Sequence, residues 1–257
     1  MVRSLYTAYT GMRNEQNRLD IISNNLANVT TAGYKEESVA NQAFDEMLTL
    51  KVRDVSEGWN DRPIGHMSLG VRIGEVYTDY TQGSIRETGN TYDLALEGNG
   101  FFALRVVNAR GEESIKYTRD GNFKITGEGM IVDAYGNHLQ SESGNLQVPT
   151  DAAEVRILSD GTVYADGEQV DMISIVDFEN YDYLNKYGDN MYTAIDGAVQ
   201  QEATGTIRQG YIEQSNVNSV REMVEMINIT RAYEAGQKVI QTTDSMLEQA
   251  ATSVGKV

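Results

Sequence analysis

Two stretches of the chain space their apolar residues as helices do, and the long middle spaces them as strands do. The first stripe runs Leu5, Ala8, Met12, Glu15, Leu19, Ile22, Leu26 and Val29, in steps of three and four, with Glu15 as its one polar member. At ~1.5 Å per residue such a helix is roughly 40 Å long. The second stripe runs Met226, Ile229, Tyr233, Gly236, Ile240, Thr243, Leu247, Ala250 and Val254. The pairs Ala232-Tyr233, Val239-Ile240 and Met246-Leu247 widen that face beyond a single seam. Two helices of ~3.5-residue period, one near each end, are expected to pair in a coiled-coil-like layer.

Between them, short runs of Tyr, Phe, Ile and Val are broken by turn signals at Asn108-Ala109-Arg110-Gly111, Asp120-Gly121-Asn122, Gly127-Glu128-Gly129 and Tyr135-Gly136-Asn137. Val155 to Leu158, Val163 to Ala165 and Val170 to Phe178 follow, separated by Asp160-Gly161 and Asp166-Gly167. That rhythm predicts hairpins. Residues 36–80 are weakly patterned, and Ser56 to Gly70 (SEGWNDRPIGHMSLG) has loop composition. The expected fold is α+β. Residues 1–35 and 214–257 make a helical core domain, 36–80 an extended connector with some strand, and 81–213 an inserted β-rich domain of hairpins.

Composition narrows the function classes. With 257 residues the chain is long enough to bury a real core. Acidic side chains outnumber basic ones 38 to 21, a formal charge of -17. Such a chain lacks the clustered cations that a duplex nucleic-acid surface needs. Cysteine is absent, which removes disulfides, thiolate chemistry and Cys-based metal sites. No run reaches the ~20 apolar residues of a membrane helix. The opening MVRSLYTAYTGMRNEQNR has no continuous apolar core of a secretory signal, so a chain that leaves the cytoplasm would do so by another route.

Candidate chemistry is sparse. The two histidines, His66 and His138, stand far apart without metal-ligand spacing. Gly98-Asn99-Gly100 lacks the glycine pattern of a dinucleotide loop and reads as a tight turn. Asp120, Asp160, Asp166 and Asp196 each precede glycine, as turn aspartates do. No catalytic residue, cofactor, metal or small-molecule substrate is expected. Tyr77, Tyr80, Tyr181, Tyr183 and Tyr187 offer one alternative, a secreted β-rich module that binds cell-wall glycan on a tyrosine platform.

The first helical stretch ends in SNNLANVTTAGYK, Ser23 to Lys35, with three asparagines in five residues. Asparagine competes for backbone hydrogen bonds and is a mediocre helix former, so its crowding needs a reason. On a helical projection Asn25 rims the apolar seam about 60° from Ile22, and Asn24 faces nearly the opposite way. Two readings stand together. The amides make directional contacts between neighbouring subunits, or Asn28 ends the helix with Gly33 supplying a positive-φ turn.

The same stretch resembles the amino-terminal motif of bacterial flagellar rod and hook proteins, through Asn24-Asn25-Leu26-Ala27-Asn28, Thr31, Gly33, Tyr34 and Lys35. DLALEGNGFFAL (Asp93 to Leu104) with YTRDGNF (Tyr117 to Phe123) is similar to their β-domain, and Gly210 to Leu247 to their carboxyl-terminal segment. Length and the wording SNVN and RAYE are most similar to the distal-rod branch, with the proximal-rod branch as the alternative; hook members are longer. The resemblance implies a structural subunit that leaves the cytoplasm through the flagellar type III export apparatus. It would polymerise with itself, meet other rod and hook proteins, and carry torque in the basal body. Leu5, Met12, Leu19, Ile22, Asn24, Asn25, Leu26, Asn28, Val29, Gly33, Tyr34, Met226, Ile229, Tyr233, Ile240 and Leu247 are its expected packing residues.

Overall fold

A computed structural model describes residues 2–51, 62–108, 110–188 and 190–254. It contains two helices, α1 (Val2–Ala27) and α2 (Ser219–Val254), and a central region rich in strand. The fold is α+β. Among the described residues no helix is long and apolar enough to cross a membrane.

The chain divides into two compact units. One holds residues 1–27, 37–79 and 218–257; the other holds 28–36 and 80–217. In the first unit α1 and α2 run antiparallel: Asn25 meets Glu222 and Arg18 meets Glu225, while Met12, a few turns back, lies against Gly236. A Cβ on Gly236 would fall 2.6 Å from the Met12 Cγ, so the helices approach closely because that residue has no side chain. α1 ends at Ala27, so Val29, expected as its last stripe position, lies in the turn that follows.

Residues 37–79, read from sequence as a connector, group with these helices. β1 (Glu37–Ala43) and β4 (Val71–Thr78) pair antiparallel from Glu37↔Thr78 to Ala43↔Val71, with a slip at Ala40/Asn41. Between them β2 (Met47–Lys51) pairs β3 (Arg62–Met67). The loop expected over Ser56 to Gly70 is therefore strand from Arg62 to Met67; residues 56–61 lie outside the described residues. Met47, Leu48 and Met67 are exposed, so no in–out alternation marked these strands.

In the second unit, β5 (Ile85–Glu87) and β6 (Leu94–Glu97) pair with strands at 211–213 and 206–209. β7 (Phe101–Val107) is central to a larger sheet, flanked by β8 (Glu113–Thr118) and by His138–Ser141. Its sequence FFALRVV is apolar on both faces because both are covered. Phe102, Leu104 and Val106 enter one core with Leu139, Leu146 and Val163, while Phe101 and Ala103 enter another with Tyr117, Phe178 and Tyr192. The β7–β8 turn is closed by Gly111 N–H donating to Asn108 O at 2.9 Å; Ala109 lies outside the described residues. The run from Val170 to Phe178, expected as one strand, is two. Glu168–Met172 completes a three-stranded sheet, and Ile175–Phe178 crosses to pair with β7.

Candidate assembly surface and the asparagine motif

In the first unit Asn25 is the motif residue whose side chain is fully occupied inside the chain. Asn25 is 1% exposed. Its Nδ2 donates to the Glu37 carbonyl at 2.8 Å, and its Oδ1 accepts the Glu37 N–H at 3.1 Å. The side-chain amide thus stands in for a peptide group and satisfies the free edge of β1 at its first residue. Nδ2 also donates to Glu222 Oε2 at 3.2 Å, which brings α2 into the same junction. Asn25 ties α1, β1 and α2 together, a use neither sequence reading named.

Asn25→Asp is therefore expected to cost more than Asn25→Ala, which loses about 1–3 kcal/mol for buried polar groups left unmade. The aspartate keeps the acceptor but cannot donate to Glu37 O, and it sets a second carboxylate against Glu222. Urea unfolding of the two variants measures the order.

The termination reading fits the rest of the motif. Asn28 O accepts Thr31 N–H and its Oδ1 accepts Thr31 Oγ1–H, each at 3.1 Å. Gly33 has φ +66°, and a Cβ there would lie 2.3 Å from the Arg119 carbonyl carbon. Tyr34 is buried, with the Lys186 ammonium 4.7 Å from its ring centroid.

Lys35, the last motif letter, is a buried cation in the second unit. Its Nζ donates to Glu213 Oε1 at 2.6 Å and to Thr81 O at 2.8 Å. Glu213, fully buried, also accepts Gly83 N–H at 2.9 Å and Arg119 Nη1 at 3.4 Å. Asn216 accepts Glu36 N–H at 2.8 Å and donates to Thr81. Segments 31–36, 81–83 and 213–216 are thereby fastened to one another. Sequence reasoning missed Glu213, Arg119, Asn216 and Glu222. The signal was present in the positions of Lys35 and Glu213, charged residues at the edges of otherwise recognisable motifs.

The expected packing residues divide by burial. Ile22 and Ile229 are buried; Leu5, Met12, Leu19, Asn24, Leu26, Asn28, Val29, Met226 and Ile240 are half-buried; Tyr233 and Leu247 are exposed. α2 also exposes Val220, Met223, Val224, Ile227, Val239 and Met246, and α1 exposes Tyr6 and Tyr9. The apolar surface of the helices exceeds what one copy covers.

Among the described residues no group of three acidic or histidine side chains can hold a metal. Burial first, then the Asp177 carboxylate that accepts its hydroxyl at 2.8 Å, pushes Tyr181 up to about 12. Tyr80 and Tyr181 pack with Phe101, their centroids 5.9 and 5.8 Å from its ring, so these two edge a core, whereas Tyr77, Tyr183 and Tyr187 are exposed.

Comparison with known proteins covers the same three regions. Residues 5–35 match a family described as flagella basal body rod protein, residues 95–165 the flagellar hook protein FlgE/F/G D1 domain, and residues 208–253 the flagellar basal body rod FlgEFG protein C-terminal. The chain is 35% identical to flagellar basal-body rod protein FlgG of Bacillus subtilis over 97% of its length and 98% of the relative's. It is 33% identical to FlgG of Agrobacterium fabrum (95% and 97% covered) and 32% identical to the rod protein FlgF of Caulobacter vibrioides over the whole of both. With relatives of this identity along the full chain, and a buried Asn25 and Lys35 that give the shared motif its physical reason, the protein belongs to the flagellar basal-body rod family, as a structural component of the flagellum.

Proposed function

We propose that this chain is a subunit of the distal part of the rod, polymerising with itself into a helical tube that passes torque from motor to hook. The observation that carries this reading is the row of exposed apolar residues along α1 and α2, which a soluble monomer has no reason to keep. The full-length likeness to proteins named FlgG favours the distal over the proximal position. In the polymer α1 and α2 form an inner, coiled-coil-like layer, and Leu5, Met12, Leu19, Ile22, Leu26, Met226, Ile229, Tyr233, Ile240 and Leu247 pack within and between copies. Asn24, Asn25, Asn28, Val29, Gly33 and Tyr34 hold the chain where that layer ends. Export through the flagellar type III apparatus takes the subunit outside the cytoplasm, where it meets neighbouring rod and hook proteins.

Ile240→Asp tests this. The half-buried side chain lies on the α2 face turned towards α1, where a carboxylate would have to be desolvated in a packed layer. The variant is expected to keep the strand signal of the β-rich unit and to stop assembly. Electron microscopy of basal bodies from cells carrying it would then show the axis ending at the proximal rod. Full-length rods built from the variant would contradict the assembly role of this face.

A further inference from the structure

α2 carries two apolar faces on opposite sides, and α1 can cover only one. Centred on Ile229 at about 100° per residue, Tyr233, Gly236, Ile240 and Leu247 fall within about 40° of it. On the same projection Ile227 falls about 160° away, Val220 about 180°, Val224 about 140° on one side and Met223 about 120° on the other. These four residues follow i, i+3, i+4, i+7 spacing, and Val220 and Ile227 are 69% and 52% exposed. One turn further on, the stripe becomes polar at Arg231.

The face towards α1 is not closed either. Glu15, Gln16 and Leu19 of α1 with Ile229, Thr230 and Tyr233 of α2 line a groove of about 250 Å³. Its floor is Leu19, Ile229 and Tyr233. Its one acidic lining residue is Glu15, which shares the cation Arg18 with Glu225, one turn before Ile229 on α2.

The geometry points to a knob-and-groove contact between copies: the stripe Val220, Met223, Val224 and Ile227 of one chain enters the groove at Leu19, Ile229 and Tyr233 of the next. It rests on the reading of the chain as a self-assembling rod subunit and specifies the surface used. Three features select a second copy as the occupant. The same chain supplies both an apolar row at helical spacing and an apolar cleft between helices that takes such a row. The charges match, since Arg231 extends the stripe, while Glu15 in the groove and Glu225 beside it have one cation, Arg18, between them. The two surfaces lie on opposite sides of one helix, so the contact is heterologous and propagates head to tail, which suits a filament and excludes a two-fold dimer.

The absence of cysteine gives a background-free test. Gln16→Cys sits on the groove wall and Met223→Cys on the stripe; both positions are exposed. A link within one chain, where Arg18 meets Glu225, would return a monomer band and add nothing to a ladder. Rods purified from cells carrying the double variant are treated with a short bis-maleimide and run under denaturing conditions. The expected result is a ladder of dimer, trimer, tetramer and higher species, with each single variant remaining monomeric. Intact rods without a ladder, or with dimers alone, would overturn the knob-and-groove contact and leave the rod reading standing. Absence of any rod in cells expressing the unsubstituted chain would overturn both.

Discussion

Glu213→Gln is expected to destabilise the β-rich unit by about 5 kcal/mol, and Lys35→Met by about 3 kcal/mol, the range for breaking a buried ion pair from one side. The order follows from what each leaves behind. Without the Glu213 charge, the Lys35 ammonium and the Arg119 guanidinium remain buried with no anion between them. Without Lys35, Glu213 still accepts from Gly83 N–H and Arg119, and Thr81 O still accepts from Asn216 Nδ2 at 3.3 Å. The double variant Lys35→Met/Glu213→Gln is expected to be less damaged than the two losses summed, because the removed charges were each other's partners. Urea midpoints followed by tyrosine fluorescence measure all three. A Lys35→Met loss equal to or larger than that of Glu213→Gln would show that the cluster is not organised around the carboxylate.

That cluster also marks where the sequence stops being legible. The helices were readable because their stripes are local: Ile22 and Ile229 show their roles through neighbours three and four residues away. The hairpins were readable because turn chemistry is local too, as when Asp133 Oδ1 accepts the N–H groups of Tyr135 and Asn137 in the turn read at Tyr135-Gly136-Asn137. Lys35 and Glu213 are 178 residues apart, and no periodicity joins them. Asn25 projects beside the seam from sequence, but its partners lie on β1 and at the start of α2, segments whose placement depends on the whole fold. β1 and β4 were obscure for another reason. Several of their residues are exposed on both faces, as Asn41, Gln42 and Ala43 are, so the two-residue alternation that marks a half-buried strand never formed. The break between Met172 and Ile175 was hidden because apolar strands in two different sheets follow one another almost without a turn signal.

Lowering the pH from 7.5 to about 4.5 has a stabilising component in this fold, which comes from Asp120, and Asp120→Asn is expected to remove it. Burial, above all, and the nearby Asp133 and Asp93 charges raise this carboxyl from 3.8 to about 6, against the opposing bonds from Asn122 N–H and Asn190 Nδ2. A carboxyl raised in the folded state is protonated there while the unfolded chain has already released its proton. Below pH 3.8 both states hold the proton and the group has no effect. As pH climbs towards 6 the folded state loses ground, and above 6 the penalty is constant, at most about 3 kcal/mol for a shift of this size. Asparagine retains the acceptor for Asn122 N–H and carries no charge. Its amide N–H meets Asn190, whose buried Oδ1 has no hydrogen-bond partner, and a rotation of Asn190 would pair the two at the expense of its 2.7 Å bond to Ala32 O. That loss offsets part of the gain, so Asp120→Asn is expected to be about 1–2 kcal/mol more stable than the parent chain at pH 7.5. At pH 4 most of the carboxylate penalty on the parent has gone while the lost Ala32 bond still counts, so Asp120→Asn is expected to unfold at a lower urea concentration than the parent, by about 1 kcal/mol. Every other titrating group is common to both chains, so the difference between their pH profiles isolates this one. An advantage for Asp120→Asn that did not change between pH 4 and 7.5 would mean that the carboxylate carries no burial penalty and that the substitution acts through packing alone.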